Sequence, residues 1–277
     1  MAKQPHGKLN QLERDLPEGL LVDAGWLSGH GYSTSLRSQY VTAGWLQQPT
    51  RRVYRRSRSP LTWQQVVVSL QSLLQYDLVV GGRTALEHLG FVHYLSPNTS
   101  DVHLYGPKAP PKWLTQLNVG VQFYYHNERK LFRTQQPASS ANTAKKAQHN
   151  DAPPSERVVI VNVGWSDEWP LKLSTPERAI LEMLDELPAR ESFHHLDKIM
   201  EGLANLSPRR LQELLVDCRN VKVKRLFFFF AERHNHAWLK HLNKSAIDFG
   251  KGKRMLVKGG KLDHRYQITV PEKFDAV

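Results

Sequence analysis

Apolar residues recur at helical spacing along most of the chain, and the gaps between these runs mark out its elements. Leu9, Leu12 and Leu16 fall on one face of a helix over residues 8 to 16, which Pro17 ends. A short apolar helix through Leu20, Leu21, Ala24 and Leu27 runs into Gly29-His30-Gly31, where glycine permits the sharp turn of a helix-turn-helix. Ser33 caps the next helix. Its apolar stripe is Leu36, Tyr40 and Val41, and its other side carries Thr34, Ser35, Ser38 and Thr42, flanked by Arg37 and Gln39. Gly44 ends it, and Trp45-Leu46 with Val53-Tyr54 then read as two short strands around a polar loop, the pattern of a wing. Ala-Gly-Trp-Leu occurs at 24 to 27 and at 43 to 46 in two different roles, with Trp26 and Trp45 read as core aromatics.

Beyond Pro60 the pattern turns more apolar. Thr62 and Gln65 form a capping box ahead of a helix with Val66, Val67, Leu70, Leu73 and Leu74 on its face. Leu78 to Val80, Gly81-Gly82 and a short helix through Ala85, Leu86 and Leu89 closing at Gly90 open a mixed helix and strand layer. Val102, Leu104, Val119, Val121 and Phe123 fit strands, with Pro107 to Pro111 as the connection between them. Residues 135 to 156 carry no large apolar side chain, so burial cannot offset their ordering entropy and a mobile segment is expected. Val158 to Val163 reads as a strand of the buried kind. Ser174, Pro176 and Glu177 mark a helix start followed by Ala179, Ile180, Met183, Leu184 and Leu187. Phe193, Leu196, Met200 and Leu203 continue in a second helix, and Ser207-Pro208 opens a third with Leu211, Leu214 and Leu215. Val221 to Glu232 alternates at first and is then apolar all round. A buried helix or a core strand satisfies it, and the reading adopted is a helix ending near His234-Asn235. Arg254 to Val270 resembles a hairpin turned at Gly259-Gly260. The resulting class is α+β: a winged helix-turn-helix over residues 1–59, then a larger mixed helix and strand domain over residues 60–277.

Charge adds a partner to this outline. The 277 residues carry a formal net charge of +12, which favours an anionic partner, nucleic acid first. Between Gly31 and Pro60 stand Arg37, Arg51, Arg52, Arg55, Arg56 and Arg58 with no acidic residue. A solvated face mixes signs, whereas arginines of one sign on a wing suit phosphates. The short polar residues beside Arg37 suit a helix laid in the major groove. DNA-binding residues are therefore expected at Ser33, Thr34, Ser35, Arg37, Ser38, Gln39, Thr42, Arg51, Arg52, Arg55 and Arg56, with Arg37 at bases or adjacent phosphates and the other arginines on phosphates. No run of about 18 apolar residues exists and the first residues lack a signal-peptide core, so no membrane role and a cytoplasmic location are expected. The lone Cys218 permits neither an internal disulfide nor a cysteine-rich zinc site and is read as a buried small hydrophobe.

Several runs resemble the AbiEi antitoxin family: Leu173-Ser-Thr-Pro-Glu-Arg-Ala-Ile-Leu-Glu-Met-Leu-Asp-Glu-Leu-Pro188, Arg209-Arg-Leu-Gln-Glu-Leu-Leu215, Val221-Lys-Val-Lys-Arg-Leu-Phe227, Gly250-Lys-Gly-Lys-Arg254 and Tyr266-Gln-Ile-Thr-Val-Pro271. Gly81-Gly-Arg-Thr-Ala-Leu-Glu-His-Leu-Gly90 and Gly44-Trp-Leu46 are similar too. The resemblance implies an amino-terminal winged helix that represses its own operon and a carboxy-terminal domain that neutralises an AbiEii nucleotidyltransferase toxin, in a phage-defence setting. One departure stands at the wing: family members commonly have glycine just before the apolar-Tyr pair, where this chain has Arg52.

Thirteen histidines invite metal or acid-base chemistry, but no His-Glu-x-x-His, serine nucleophile elbow or paired-cysteine pattern is present. His194-His195 point to different sides of a helix and His234 and His236 sit near a helix end, so they are read as surface or capping residues. No catalytic residue, metal or cofactor is expected. Gly250 to Arg254 lacks Walker spacing and reads as a basic contact loop. It belongs to a second basic block whose expected antitoxin surface is Lys222, Lys224, Arg225, Lys251, Lys253 and Arg254, facing either an acidic face of the toxin or a shared nucleic acid. The competing function is a nucleic-acid-processing enzyme with its active site in the carboxy-terminal half.

Overall fold

The computed structural model describes residues 5–56, 59–91, 100–133, 157–162 and 169–272. Arg58, Val163 and the segment 135–156 expected to be mobile lie outside them. The chain opens with α1 (Pro5–Asp15), β1 (Leu21–Asp23), α2 (Ala24–Gly29), α3 (Thr34–Thr42), β2 (Gln47–Thr50) and β3 (Val53–Arg55). The strands form an antiparallel sheet in the order β1-β3-β2. Three helices backed by this sheet, with the β2–β3 turn projecting at Arg51-Arg52, make a winged helix-turn-helix arrangement. The apolar run from Leu20 is not one helix. Leu21 to Asp23 pair with Arg55 to Val53, and α2 starts only at Ala24, where the Asp23 carboxylate accepts the Trp26 amide at 2.8 Å. A continuous apolar run cannot distinguish a buried strand from a buried helix, and pairing with β3 decided it. At the wing tip Arg52 has φ +66°, the left-handed region glycine enters without steric cost. The turn is therefore the one the family glycine would make, here made by an arginine.

The larger part begins with α4 (Trp63–Ser72), closed by the expected Thr62–Gln65 capping box. This helix touches both sheets. Its Ser69 hydroxyl accepts the Leu21 amide of β1 at 2.9 Å. Its Gln71 amide donates to the carbonyls of Leu78 and Lys172 and accepts the Lys172 amide, each at 3.0 Å. Behind it, β4 (Val79–Val80), β5 (Asp101–Gly106), β6 (Gln122–Asn127), β7 (Val158–Val161) and β8 (Leu171–Ser174) form a mixed sheet in the order β6-β5-β4-β8-β7. Pairing is parallel between β5 and β6 and between β4 and β8, and antiparallel elsewhere. Two strand expectations are corrected. Val119 and Val121 precede β6, after a 3₁₀ turn at Lys112–Gln116, and among the described residues β7 is an edge strand flanked by β8 alone, with Ile160 exposed.

Helices α5 (Gly82–His88), α6 (Pro176–Asp185), α7 (Phe193–Gly202), α8 (Pro208–Asp217) and α9 (Val221–His234) follow the predicted periodicity. α9 is the helix whose first turns alternate. It is apolar all round because Val223, Leu226, Phe227, Phe228, Phe230 and Ala231 are all buried, and Asn235 ends it in the left-handed conformation at φ +49°. The last hairpin pairs β9 (Lys261–Asp263) with β10 (Ile268–Val270), so its turn lies at residues 264–267 and not at Gly259-Gly260. Asp263 closes that turn by accepting the Tyr266 amide at 2.7 Å. Cys218 is buried as expected, and burial pushes its thiol up to about 12.

Glu182 on α6 ties these pieces together. Its fully buried carboxylate accepts the Gly82 amide at 2.9 Å, the Ser174 hydroxyl at 3.1 Å and Arg178 Nε at 2.7 Å. Arg178 reaches on to Glu128 at 2.9 Å. A Cβ on Gly81 would collide with the Glu182 carboxylate and the Tyr105 ring. Breaking a buried ion pair by removing one partner costs about 3–5 kcal/mol. Glu182→Ala is therefore expected to lower stability by that order in chemical denaturation, and Gly81→Ala by about 1–3 kcal/mol through overpacking; a loss below about 1 kcal/mol for Glu182→Ala would contradict its role as the joint.

Candidate nucleic-acid interface and basic groove

Helix α3 presents Ser33, Thr34, Ser35, Ser38, Gln39 and Thr42 to solvent, as expected of an exposed reading face. The Ser33 hydroxyl caps the helix by accepting the Leu36 amide at 3.2 Å and bonds Ser35 Oγ at 3.0 Å. Arg37 does not join this face. It is buried, and its guanidinium donates to the Ala24 carbonyl and Ser28 Oγ at 2.7 Å and to Thr34 Oγ1 at 2.8 Å. It pins α3 to α2, since a guanidinium has donors enough to serve two helices at once. The expectation that Arg37 contacts bases or phosphates is corrected to a positioning role.

The wing divides in the same way. Arg51 and Arg52 are exposed at the tip, and the Arg52 carbonyl accepts the Ala24 amide at 2.8 Å, which fixes the tip against the start of α2. Arg55 is only 2% exposed, and burial lowers its pKa against the opposing effect of Glu18. Arg56 turns inward to α1, donating to the carbonyls of Glu13 and Leu16 at 2.8 and 3.0 Å and pairing with the Glu13 carboxylate at 3.4 Å. Arg55 is thus removed from the expected phosphate contacts because β3 is the central strand of its sheet and is packed from both sides, and Arg56, just beyond β3 and partly exposed, is tied to α1 instead. Trp45, read as core, is 44% exposed where the chain leaves α3, its ring edge-on to Tyr40 at 5.3 Å. Its exposure corrects the core assignment, which the apolar pattern alone suggests. Trp26 is half-buried and stacks on His30 at 3.7 Å.

The second basic block is also split by burial. Lys224 and Arg225 are buried on α9, whereas Lys251, Lys253 and Arg254 are exposed. Residues 221–227 run as a helix packed on most of its sides, so every position from Val223 to Phe227 is buried, where a strand would have turned alternate residues outward. Arg225 donates from Nε to the Phe249 carbonyl at 2.8 Å, from Nη1 to Gly252 at 2.6 Å and from Nη2 to Gly250 at 3.1 Å. It holds the Gly250-Lys-Gly-Lys-Arg254 loop in shape without touching solvent. Lys222 is half-buried, donating to the carbonyls of Asp185 and Leu187 at 2.6 and 2.8 Å. Lys130, Arg219, Lys222, Lys253 and Arg254, with Met255 and Leu256, line a groove of about 670 Å³ at the start of α9. Lys130 reaches it from a distant part of the chain, held there by the hydrogen bond from the Arg219 amide to the Leu131 carbonyl at 2.8 Å. Five cationic side chains at a helix N-terminus make a site for an anionic surface.

A third cluster was not foreseen. His103 on β5 and His126 on β6 meet through Nδ1 and Nε2 at 2.9 Å, and His126 Nδ1 lies 3.1 Å from the Glu186 carboxylate at the end of α6. These three residues could hold a metal ion. Burial, then the neighbouring His126, push His103 down to about 4. Burial alone would raise Glu186, but the hydrogen bond and charge of His126, with Arg190, outweigh it and hold the carboxyl at about 2. Alternation puts His103 with Tyr105 and Tyr124 with His126 on one sheet face, but only strand pairing brings the two histidines together.

Residues 99–271 match the family described as "Transcriptional regulator, AbiEi antitoxin, Type IV TA system", and residues 5–97 match its N-terminal domain. A crystal structure of the RV2827C protein from Mycobacterium tuberculosis is similar in fold, with a TM-score of 0.55 and 17% identity over 94% of this chain and 89% of that one. No curated protein matches. No helix among the described residues is long and apolar enough to cross a membrane.

The two kinds of polar residue on α3 are expected to separate on mutation. Arg37→Ala removes charge-assisted bonds inside the unit and should cost about 1.5–3 kcal/mol in thermal or chemical unfolding. Gln39→Ala on the exposed face should leave stability within about 0.5 kcal/mol. Equal losses would contradict the assignment of Arg37 to the interior.

Proposed function

The chain belongs to the AbiEi family of type IV toxin-antitoxin transcriptional regulators, and from that premise we propose that it represses its own operon through its amino-terminal winged helix and neutralises an AbiEii-type nucleotidyltransferase toxin through the part that follows residue 60. The observation that carries the first half is the sorting of side chains on the winged unit. The outward face of α3 holds short hydroxyl residues and Gln39, which bond to base edges and admit close approach, while Arg51 and Arg52 stand together at the wing tip for the phosphates. In this reading the protein acts in the cytoplasm, needs no cofactor and is not itself an enzyme. Its regulatory family supports that choice over a nucleic-acid-processing enzyme.

Operator binding is tested by mobility shifts over a salt series. Each phosphate contact contributes about 0.9 to the slope of log affinity against log salt, so Arg51→Ala/Arg52→Ala should weaken binding to all sequences alike and flatten the slope by about 2. Ser38→Ala and Gln39→Ala should instead relax discrimination between operator and unrelated DNA. An Arg51→Ala/Arg52→Ala double variant with unchanged affinity and slope would sink the wing assignment.

Neutralisation is supported by the second basic surface, where Lys253 and Arg254 border the groove and Lys251 is exposed in the same loop. Charge reversal turns attraction into repulsion at an acidic or phosphate-bearing partner. Lys251→Glu/Lys253→Glu/Arg254→Glu in the full chain, co-expressed with the cognate toxin, is expected to lose protection while retaining operator binding and the wild-type melting temperature. Full protection by that folded variant would remove this surface from the antitoxin role.

A further inference from the structure

We propose that His103 and His126, with Glu186 as the orienting carboxylate, form a binding site for one divalent transition-metal ion of the zinc class. The three side chains each offer a ligand atom, all within 4.8 Å of one another. The imidazoles are close to coplanar, 14° apart, and meet edge to edge, Nδ1 to Nε2 at 2.9 Å. Imidazole lone pairs lie in the ring plane, so both point into the same gap. Two nitrogens on a tetrahedral zinc, each at 2.0–2.1 Å, stand about 3.4 Å apart. An ion therefore enters between them once the nitrogens part by about 0.5 Å and the two rings tilt so that their lone pairs converge on it.

The surroundings have the character of a metal site's outer layer. A ligating histidine commonly donates its other ring nitrogen to a carboxylate, which fixes its tautomer and aims its lone pair. His126 Nδ1 does this to Glu186 at 3.1 Å, and Arg190 holds that carboxylate from its other side at 3.1 Å. Both rings are fixed by stacking, His126 on Tyr105 at 4.5 Å and His103 on Tyr124 at 5.5 Å. The Thr84 hydroxyl accepts the His103 amide at 3.2 Å and anchors the strand beneath. Nearby charge favours a cation: Arg83 is shared among Glu87, Asp101 and Glu191, so with Glu186 and Arg190 the cluster holds more carboxylates than guanidiniums. His103 is buried, but the His126 side chain is 13% exposed, leaving a route for the ion and for the waters that complete its coordination.

The test uses the full chain, stripped with a chelator and titrated with zinc chloride in a calorimeter and with cobalt(II) chloride in a spectrophotometer. The expected result is one ion per chain, with cobalt bands typical of nitrogen ligation. His126→Gln and His103→Asn should abolish this uptake, while Glu186→Gln weakens it about 10–100-fold. Melting temperatures in chelator report whether each variant is folded. If both histidine variants unfold, imidazole resonances of the wild-type chain decide instead, because those of His103 and His126 must shift before any other histidine's. Absence of saturable uptake overturns the proposal. So does uptake that folded histidine variants retain, or a first shift at His194, His195, His234 or His236.

Discussion

The buried carboxylate of Glu182 is the constraint on which the arrangement of the larger part rests. A carboxylate out of water costs several kcal/mol unless its lone pairs are met, and here the donors come from three directions: the Gly82 amide at the turn into α5, Ser174 at the end of β8 and Arg178 one turn back on α6. Meeting them fixes α6 against β4 and β8 at once, and Gly81 must lack a side chain for the approach to occur. Arg178 extends the contact to Glu128 beyond β6. Everything the end of α6 then reaches is placed by that one joint. Asp185 accepts Asn220 at 2.6 Å and so sets the start of α9, where the basic groove lies. Glu186, the next residue, faces His126.

Helices were legible in the sequence because their signals are local. Thr62-x-x-Gln65, Ser207-Pro208 and the spacing of Ala179, Ile180, Met183 and Leu184 each lie within a few residues, and all three helices formed where these signals put them. Strands were legible only as apolar segments. Nothing within Leu21 to Asp23 says that Val53 to Arg55 will lie alongside, and nothing within Val158 to Val161 says that only one neighbour will flank it. The same limit hid the histidine pair, which exists only because β5 and β6 run parallel in one register.

Basic residues showed a different limit. Counting arginines treats each as a surface charge, yet Arg37 and Arg55 are buried in the winged unit, Arg56 is tied to the backbone of α1, and Arg225 to the backbone of the Gly250 loop. The guanidinium satisfies several carbonyls at fixed angles while its stem packs against apolar neighbours, so it serves as a structural cross-link as readily as a ligand for phosphate. Sequence pattern therefore found both basic regions and overstated how much of each faces solvent. The groove residue Lys130 was missed for the opposite reason, being brought to the start of α9 by the tertiary fold.

α4 joins the sheet of the winged unit to the larger sheet. It is ten residues long, about 15 Å, and is bonded through Ser69 to β1 and through Gln71 to the backbone of Leu78 and Lys172. The first contact lies in the sheet that carries the wing, and the second beside the strands that Glu182 locks to α6. Polar bonds made from a buried helix cannot be loosened without leaving a donor or acceptor unmet, so displacement at either end carries a cost at the other.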